Sequence, residues 1–247
     1  MRSDAIHRVL EAEIAGARRR RGDDSPRVLD VGGGSGVWAV PLASAGCAVT
    51  VVDPSPNALA TLQRRATDEG VVDRITALQG DTEALPPTSP SGGADLVLAH
   101  GLLEVVDDVP AALRALIGST AAGGAVSILV ANRHAAVLGR VLAGRAAEAL
   151  QLFRDPDGTL DGSTDPLRRR FDSRELEVVL RESGLDVEAV HGQGVVSDLV
   201  PGSVSEDSPG AAEALAELEH AAADRSPLRD IATRLHVIGR VDQDQAD

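Results

Sequence analysis

A short apolar stretch that runs directly into glycines constrains this chain more than any other feature. Residues 27–36 read RVLDVGGGSG, a β-branched strand pattern followed by Gly32, Gly33, Gly34 and Gly36. Glycines at a strand end allow a ligand to lie against bare backbone, as in the phosphate-binding turns of dinucleotide folds. The stretch therefore predicts a strand, a glycine turn and a helix that together form a ligand-binding unit.

Short β-branched runs alternate with helical patterns along the rest of the chain. This alternation predicts an α/β fold, a mainly parallel sheet with helices on both faces. We expect strands near residues 27–31, 48–52, 74–78, 94–99, 125–130, 186–190 and 234–241. We expect helices near residues 36–45, 109–118, 133–153 and 173–183, and another that begins with Ser55 as N-cap and Pro56 as its first residue.

The residue that separates the possible ligands is Asp30, two positions before the first glycine. A dinucleotide fold needs the spacing G-x-G-x-x-G, which Gly32, Gly34 and Val37 fit poorly. A carboxylate at the strand end would repel a bound phosphate and attract a cationic amino group. We therefore expect a ligand with a positive charge near the glycines and no pyrophosphate.

Two further acids end the next two predicted strands. Asp53 lies 21 positions after Gly32, where a carboxylate can accept both hydroxyls of a ribose. Asp81 can accept a hydrogen bond from the exocyclic amine of an adenine. S-adenosylmethionine has the amine, the diol and the adenine, and we predict it as the ligand. Each acid alone could instead cap a helix or a turn.

These motifs resemble those of the class I S-adenosylmethionine-dependent methyltransferases over nearly the whole chain. VLDVGGGSG resembles their glycine motif, VVDPS their ribose motif, GDTEALP their adenine motif, and ADLVLAHGLLEVVDD their fourth strand and the helix after it. The resemblance implies a Rossmann-like, seven-stranded, mostly parallel sheet with an antiparallel last strand. RLHVIGRV near the C-terminus is suited to that strand.

A narrower resemblance is to the tRNA 5-carboxymethoxyuridine methyltransferases, which methylate the carboxylate of a modified wobble uridine. VLDVGGGSG, LAHGLLEVV, ANRHAAVLGRVLAGR, GVVSDLV, EALAELEH and RDIATRLHVIGR carry it. It implies S-adenosyl-L-methionine as cofactor and a tRNA anticodon loop as a candidate methyl acceptor. The cofactor-binding positions implied by the resemblance or argued above are Arg2, Asp30, Gly32, Gly33, Gly34, Asp53, Asp81, Thr82 and His100.

No catalytic side chain is evident, which suits methyl transfer to a carboxylate that is already ionised at neutral pH. A bidentate arginine should hold that carboxylate, with Arg133, Arg140 and residues 168–170 as candidates. His100 acts either as a general base for a hydroxyl or amine substrate or as a wall of the cofactor pocket. We expect Glu104 to cap or pair near a helix start.

The net charge of −14 opposes non-specific binding to nucleic acid. An RNA substrate would need a local basic patch, for which the arginines at residues 18–21 and 168–170 are candidates; each run is equally consistent with a solvated helix end or loop. The aromatic side chains are Trp38, Phe153 and Phe171, so base-stacking surfaces are few. We expect Trp38 to pack in the core.

Composition also bounds the location and the partners. The chain lacks a run of about 20 apolar residues, and residues 1–21 mix charged with apolar residues, unlike a signal peptide. We therefore predict a cytoplasmic chain with no membrane association. The single cysteine, Cys47, excludes an internal disulfide. The other histidines show no metal-ligand spacing, so we expect no metal. No obligatory protein partner is evident.

With 247 residues and 43% apolar composition, the chain is long enough for one methyltransferase domain. We divide it into an N-terminal helix (1–24), a cofactor-binding half (27–130), a lid-like insertion (131–171) and a part that completes the sheet (172–247). The insertion either covers the strand carboxyl ends, where open α/β sheets bind ligands, or is a surface excursion.

Three other functions stay open at this point. Acidic charge and few aromatic residues favour a small-metabolite O- or N-methyltransferase. A non-catalytic protein that binds an S-adenosyl ligand would need the same glycines and acids. An NAD-dependent oxidoreductase is a fourth interpretation, which a comparison of ligand-induced melting shifts would test.

Overall fold

One mixed sheet organises the computed structural model, which describes residues 5–22, 25–82, 85, 92–160, 165–200 and 210–242. Its strands are β1 (Arg27–Val31), β2 (Ala48–Asp53), β3 (Ile75–Gln79), β4 (Ala94–His100), β5 (Thr120–Ala131), β6 (Leu185–Gln193) and β7 (Arg234–Val241). Their order across the sheet is β3-β2-β1-β4-β5-β7-β6. Strand β7 runs antiparallel to both of its neighbours, and the other pairings are parallel. The predicted topology, including the antiparallel last strand, is confirmed.

Helices cover both faces of the sheet. They are α1 (Ala5–Arg21), α2 (Ala39–Ser44), α3 (Pro56–Asp68), α4 (Val109–Gly118), α5 (Arg133–Leu142), α6 (Ala146–Arg154), α7 (Ser173–Glu182) and α8 (Ala211–Ala222). Helices α1, α2 and α3 share one apolar cluster with the sheet, and we call this side the α1 face. Helices α4 and α7 share the cluster on the opposite face. Among the described helices, none is long and apolar enough to span a lipid bilayer.

Side-chain caps explain where several of these helices begin. Ser55 accepts a hydrogen bond from the backbone N–H of Ala58, with Pro56 as the first helical residue, as the sequence predicts. Asp108 and Asp172 cap α4 and α7 in the same way. Such caps satisfy amide groups that have no partner within the helix. They place the polar start of each helix directly after a strand or loop of the sheet's carboxyl edge.

Two predicted helices differ from the observed ones. The helix predicted at 36–45 begins only at Ala39, because turns that contain the left-handed residues Gly34 and Gly36 occupy residues 34–38. The helix predicted at 133–153 is two helices, α5 and α6. Gly144 adopts a φ of 73° between them, a conformation that cannot continue a right-handed helix.

Candidate functional site

The glycine turn after β1 lies directly on the side chain of Asp30. Gly32, Gly34 and Gly36 have φ values of 72°, 56° and 77°, a backbone conformation that residues other than glycine rarely adopt. A Cβ atom on Gly33 would lie only 2.5 Å from the Asp30 carboxyl group. The turn therefore needs glycine at Gly33 because the backbone packs against a carboxylate.

Asp30 is a buried acid with an unsatisfied oxygen. Its side chain is 1% exposed, and its Oδ2 atom has no hydrogen-bond partner among the described residues. Burial, and then the nearby negative charge of Asp53, raise the pKa of Asp30 to about 7. A buried oxygen without a partner is unfavourable. A cationic ligand would satisfy it and would favour the charged carboxylate.

Asp53 connects the end of β2 to the glycine turn. Its Oδ2 accepts a hydrogen bond of 2.9 Å from the Gly34 N–H, and its Oδ1 accepts one of 2.8 Å from the Ser55 N–H. A carboxylate has about four acceptor positions. After both backbone bonds are made, each oxygen of Asp53 therefore retains capacity for a further donor.

Asp81 and Thr82 come one residue after the end of β3 and lie beside the end of β2. The Gly80 N–H donates to the Asp53 carbonyl oxygen at 3.3 Å, which continues the β2–β3 pairing one step past the strand. Asp81 is exposed and Thr82 is half-buried. Arg2, the remaining predicted position upstream, lies outside the described residues.

Strand register places three of the predicted residues on one face. Asp30 pairs with Val51 of β2 and with Leu98 of β4. Side chains alternate along a strand, so residues two positions further on share the same face. Asp53 and His100 therefore lie on the α1 face with Asp30, at the carboxyl edge of the sheet. The structure thus brings Asp30, Asp53 and His100, three of the predicted residues, together at this edge.

A polar row on the α1 face continues from His100 towards β7. The Nε2 atom of His100 lies 2.8 Å from the Ser127 Oγ, which lies 2.8 Å from the Nε2 of His236. The His236 ring stacks on His191 of β6 at 6.0 Å between centroids. On the other side, the Trp38 ring meets His100 edge-on at 4.9 Å.

The two histidines that contact Ser127 are neutral. Burial, and then the positive charge of Arg234, lower the pKa of His100 to about 3. Burial, followed by His100 and His191, holds the pKa of His236 well below its usual value. One hydroxyl can donate to only one of two imidazoles and must accept from the other. The tautomers of His100 and His236 are therefore coupled through Ser127.

The arginines predicted to hold a substrate carboxylate already have partners within the protein. Arg133 donates to the backbone carbonyls of residues 153, 155 and 156, and Arg140 pairs with Glu148 at 2.9 Å. Arg168 pairs with Asp107, and Arg170 forms a bidentate pair with Asp165. Arg169 donates to the backbone carbonyls of residues 103, 106 and 107. These partners give the five arginines structural roles.

Glu104 lies at the carboxyl edge rather than at a helix start. Its side chain is 4% exposed, and its Oε1 accepts a hydrogen bond of 2.8 Å from the Ala131 N–H at the end of β5. Burial raises its pKa, against the opposing effect of hydrogen bonds and of nearby arginines. The Arg168 N–H donates to the Glu104 carbonyl at 2.8 Å. Part of the predicted insertion thus contacts this edge.

Sequence reasoning missed Ser127, His236 and Arg234. Ser127 lies within an apolar run, and His236 within RLHVIGRV. A polar residue that interrupts a buried strand is a usable signal, because burial requires a partner. The partner itself is 109 residues away and follows only from the pairing of β5 with β7.

The chemistry of the site fits S-adenosylmethionine. An unsatisfied buried carboxylate suits an ammonium group, and a second carboxylate with spare acceptor capacity suits a diol. The same Asp30 would repel a pyrophosphate placed on the glycine turn. Fold and site together define the class of S-adenosylmethionine-dependent methyltransferases.

Comparison with known proteins gives the family. A family model described as a methyltransferase domain matches residues 2–190, and the chain belongs to this family. A solved S-adenosylmethionine-dependent methyltransferase from Mesorhizobium loti has the same fold, with a TM-score of 0.59, 18% identity, and coverage of 96% of this chain and 98% of that one. S-adenosylmethionine is accordingly the cofactor.

Curated relatives differ in their acceptors. The tRNA 5-carboxymethoxyuridine methyltransferase of Escherichia coli is 26% identical over 95% of this chain and 87% of its own length. The ubiquinone biosynthesis O-methyltransferase of Methylocella silvestris is 32% identical over 71% of this chain. This chain spans only 63% of that second relative's length.

Proposed function

We propose that this protein transfers a methyl group from S-adenosylmethionine to the carboxylate of a modified wobble uridine in tRNA. The observation that carries the proposal is the extent of similarity to the Escherichia coli tRNA enzyme. That similarity covers 95% of this chain, so it reaches well into the C-terminal quarter and includes α8. Similarity to the Methylocella silvestris relative covers 71% of the chain.

The proposed cofactor contacts follow the geometry of the carboxyl edge. Asp30 binds the ammonium group, Asp53 the ribose hydroxyls, and Asp81 with Thr82 the adenine. Gly32, Gly33 and Gly34 let the ligand approach the backbone. Arg2 would add a contact from upstream. Apart from Arg2, each of these contacts uses a group at or just past the carboxyl end of one of the first three strands.

We assign His100 the role of a pocket wall rather than a general base. An efficient base has a pKa near the working pH, whereas that of His100 is about 3. The Trp38 ring and the Ser127 hydroxyl hold the imidazole from two sides. A carboxylate acceptor needs no base, because it is ionised at neutral pH.

The mechanism is an in-line displacement that depends on positioning. The cofactor supplies a methyl group already activated by the positive sulfonium. The chain's own residues fix the two ends of the reaction. The acids at the carboxyl ends of β1 and β2 and the acid after β3 hold the donor, and the carboxyl edge near β4 and β5 receives the acceptor. Alignment at about 3 Å supplies most of the rate enhancement.

We also propose that residues 131–171 cover the acceptor side of this edge. The Arg169 guanidinium donates to carbonyls of the loop after β4, and Phe171 forms a β-bridge with Asn132 at the end of β5. These contacts anchor the returning part of the insertion next to the edge. Residues 161–164 lie outside the described ranges.

Mass spectrometry of tRNA nucleosides tests the proposed acceptor. Purified protein is incubated with S-adenosylmethionine and with tRNA that contains 5-carboxymethoxyuridine. The expected result is conversion of this nucleoside to its methyl ester, with none when S-adenosylhomocysteine replaces the methyl donor. An unchanged nucleoside, with cofactor binding intact by calorimetry, would exclude this acceptor.

A small phenolic metabolite is the second candidate acceptor. The 32% identity to a ubiquinone biosynthesis O-methyltransferase favours it. A hydroxyl acceptor generally needs a base, and His100 with its pKa of about 3 is poorly suited to that role. Turnover of catechols but not of tRNA would support this alternative over the first proposal.

A further inference from the structure

Arg234 occupies a position on the carboxyl edge that faces the site. It is the first residue of β7, and this strand is antiparallel to β5, so its first residue lies where β5 ends. Its Cα pairs with Ala131 of β5 and with Gln193 of β6. Arg234 precedes His236 by two residues and therefore shares the α1 face with the polar row that includes His100.

The Arg234 side chain is exposed and uncommitted. Within the described ranges of the chain, its guanidinium makes neither a hydrogen bond nor an ion pair. The arginines at residues 133, 140 and 168–170 are all bonded to carbonyl groups or carboxylates of the protein. Arg234 is thus a cation at the site edge whose five donors are available to a ligand.

The positive charge of Arg234 acts on His100 and Glu104, the two titratable groups next to the proposed acceptor position. After burial, this positive charge is the second cause that lowers the pKa of His100, and it offsets part of the rise that burial causes in the pKa of Glu104. His100 is neutral and does not compete with it for an anion. Glu104 is buried and already accepts a backbone hydrogen bond from Ala131.

We propose that Arg234 binds the carboxylate of the methyl acceptor and gives the enzyme its preference for an anionic substrate. The inference rests on the proposed function, since it assumes a carboxylate acceptor. A guanidinium matches a carboxylate through two parallel N–H···O bonds. The carboxylate oxygens keep further lone pairs, one of which can point at the methyl group.

The reaction balances without a proton acceptor. A carboxylate oxygen forms a bond to the methyl carbon while the carbon–sulfur bond breaks, and the electron pair of that bond stays on sulfur. Positive charge disappears from sulfur and negative charge from the carboxylate. The attraction to Arg234 is therefore greatest before reaction and weakest in the ester product. An interaction that is strongest in the ground state affects KM more than kcat.

Steady-state kinetics on tRNA that contains 5-carboxymethoxyuridine tests this assignment. For Arg234→Gln we expect KM to rise about 10- to 100-fold and kcat to change by less than about threefold, because hydrogen bonds to a charged group are lost. Arg234→Lys keeps the positive charge but loses the paired N–H donors of the guanidinium, so its KM should lie between those of the wild type and Arg234→Gln. Arg181→Gln, an exposed arginine on α7 at the opposite face, is the matched control and should leave KM unchanged.

Direct binding separates failure of this inference from failure of the proposed function. The free nucleoside 5-carboxymethoxyuridine is titrated into protein saturated with S-adenosylhomocysteine, and its carboxamide analogue serves as the uncharged comparison. We expect the wild type to prefer the carboxylate and Arg234→Gln to lose that preference, with cofactor affinity unchanged. Equal carboxylate binding by wild type and Arg234→Gln, or none by the wild type, would overturn the assignment. Nucleoside binding without tRNA turnover would instead reject only the tRNA acceptor.

Discussion

Asp30 favours ligand binding but lowers the stability of the ligand-free protein, because binding needs a buried negative charge. Its pKa of about 7 lies above the usual value of 3.8, so the folded protein holds this proton more tightly than the unfolded chain. The contribution of protonated Asp30 to the stability of the fold is fully present below the unfolded pKa of 3.8, and it is lost as the pH rises through the folded pKa of about 7. Above that pH the folded protein keeps a buried charge that a cationic ligand would balance.

Asp30→Asn should therefore stabilise the ligand-free protein while weakening cofactor binding. At about pH 8 we expect the free energy of unfolding to rise by about 2 kcal/mol, because an uncharged amide replaces a buried carboxylate. At about pH 4 most of the gain should vanish, because Asp30 is then protonated in the folded protein and the unfolded carboxyl is close to its own pKa of 3.8. Urea denaturation at the two pH values measures the difference.

Cofactor titration completes the test of Asp30. Wild-type affinity should fall as pH drops below 7, since protonated Asp30 no longer attracts an ammonium group, and the variant should bind at least about tenfold more weakly at high pH. A variant that binds as tightly as the wild type would contradict the placement of the ammonium group.

Ser127→Ala should disrupt two histidines at once. Its hydroxyl is fully buried and bridges His100 and His236, so the change leaves two buried ring nitrogens without partners. We expect a loss of about 1–3 kcal/mol in unfolding free energy and altered tautomers of both rings in nitrogen NMR spectra. Ser44→Ala, which removes a hydroxyl bonded to its own helix, is the control. A shift in only one ring would disprove the coupling.

At the scale of elements, local sequence patterns were sufficient to predict helices and strands where interactions between near neighbours decide the structure. Ser55 and Pro56 mark the start of α3, and β-branched runs mark the strands, because capping and alternation act between near neighbours. The break at Gly144 was missed, since a single glycine within an Ala-rich run is compatible with a helix. Asp30 and Asp53 were predicted from strand ends, whereas Arg234 became visible only through the antiparallel pairing of β7.

Arg240 holds α1 on the sheet and offers a test at this scale. Its guanidinium donates to Glu13 of α1 at 2.8 and 3.0 Å and to Glu188 of β6 at 2.9 and 2.6 Å. These carboxylates raise the pKa of Arg240, and the pKa of Glu188 is lowered in turn. Arg240→Met leaves the two carboxylates without their common partner.

We expect Arg240→Met to lower the free energy of unfolding by about 1–3 kcal/mol, as judged by urea denaturation. Cofactor affinity should fall as well, because α1 also carries His7, whose ring packs 4.8 Å from Trp38 beside His100. The exposed pair between Arg181 and Glu177 is the comparison, and Arg181→Gln should change stability by less than about 0.5 kcal/mol. Equal effects of the two substitutions would show that the Arg240 cluster does not anchor α1.

At the scale of the molecule, the charge distribution limits how an RNA could be recognised. The net charge is −14, and the arginines at residues 168–170 form no free basic patch. In the run at residues 18–21, Arg19 and Arg20 are exposed, but this run is the last turn of α1 and lies beside the start of β4, at the edge of the sheet opposite the site. Arg21 pairs with Asp95 at 2.5 Å, and Arg18 donates to the Ala45 carbonyl. The arginines at residues 168–170 are bonded to the protein. Recognition of a tRNA would therefore depend on the modified base and few phosphates.

Salt dependence of tRNA methylation follows from this distribution. Each phosphate contact to single-stranded RNA contributes a slope of about −0.7 to the logarithm of affinity against the logarithm of salt concentration. With one or two contacts, kcat/KM should fall by less than about tenfold between about 50 and 200 mM salt. Cofactor affinity measured at the same salt concentrations corrects for effects on the donor site. A hundredfold or greater fall in kcat/KM would mean that RNA binds along an extended basic surface, in conflict with the internal bonding of the arginines at residues 168–170 and with the distance of residues 18–21 from the carboxyl edge.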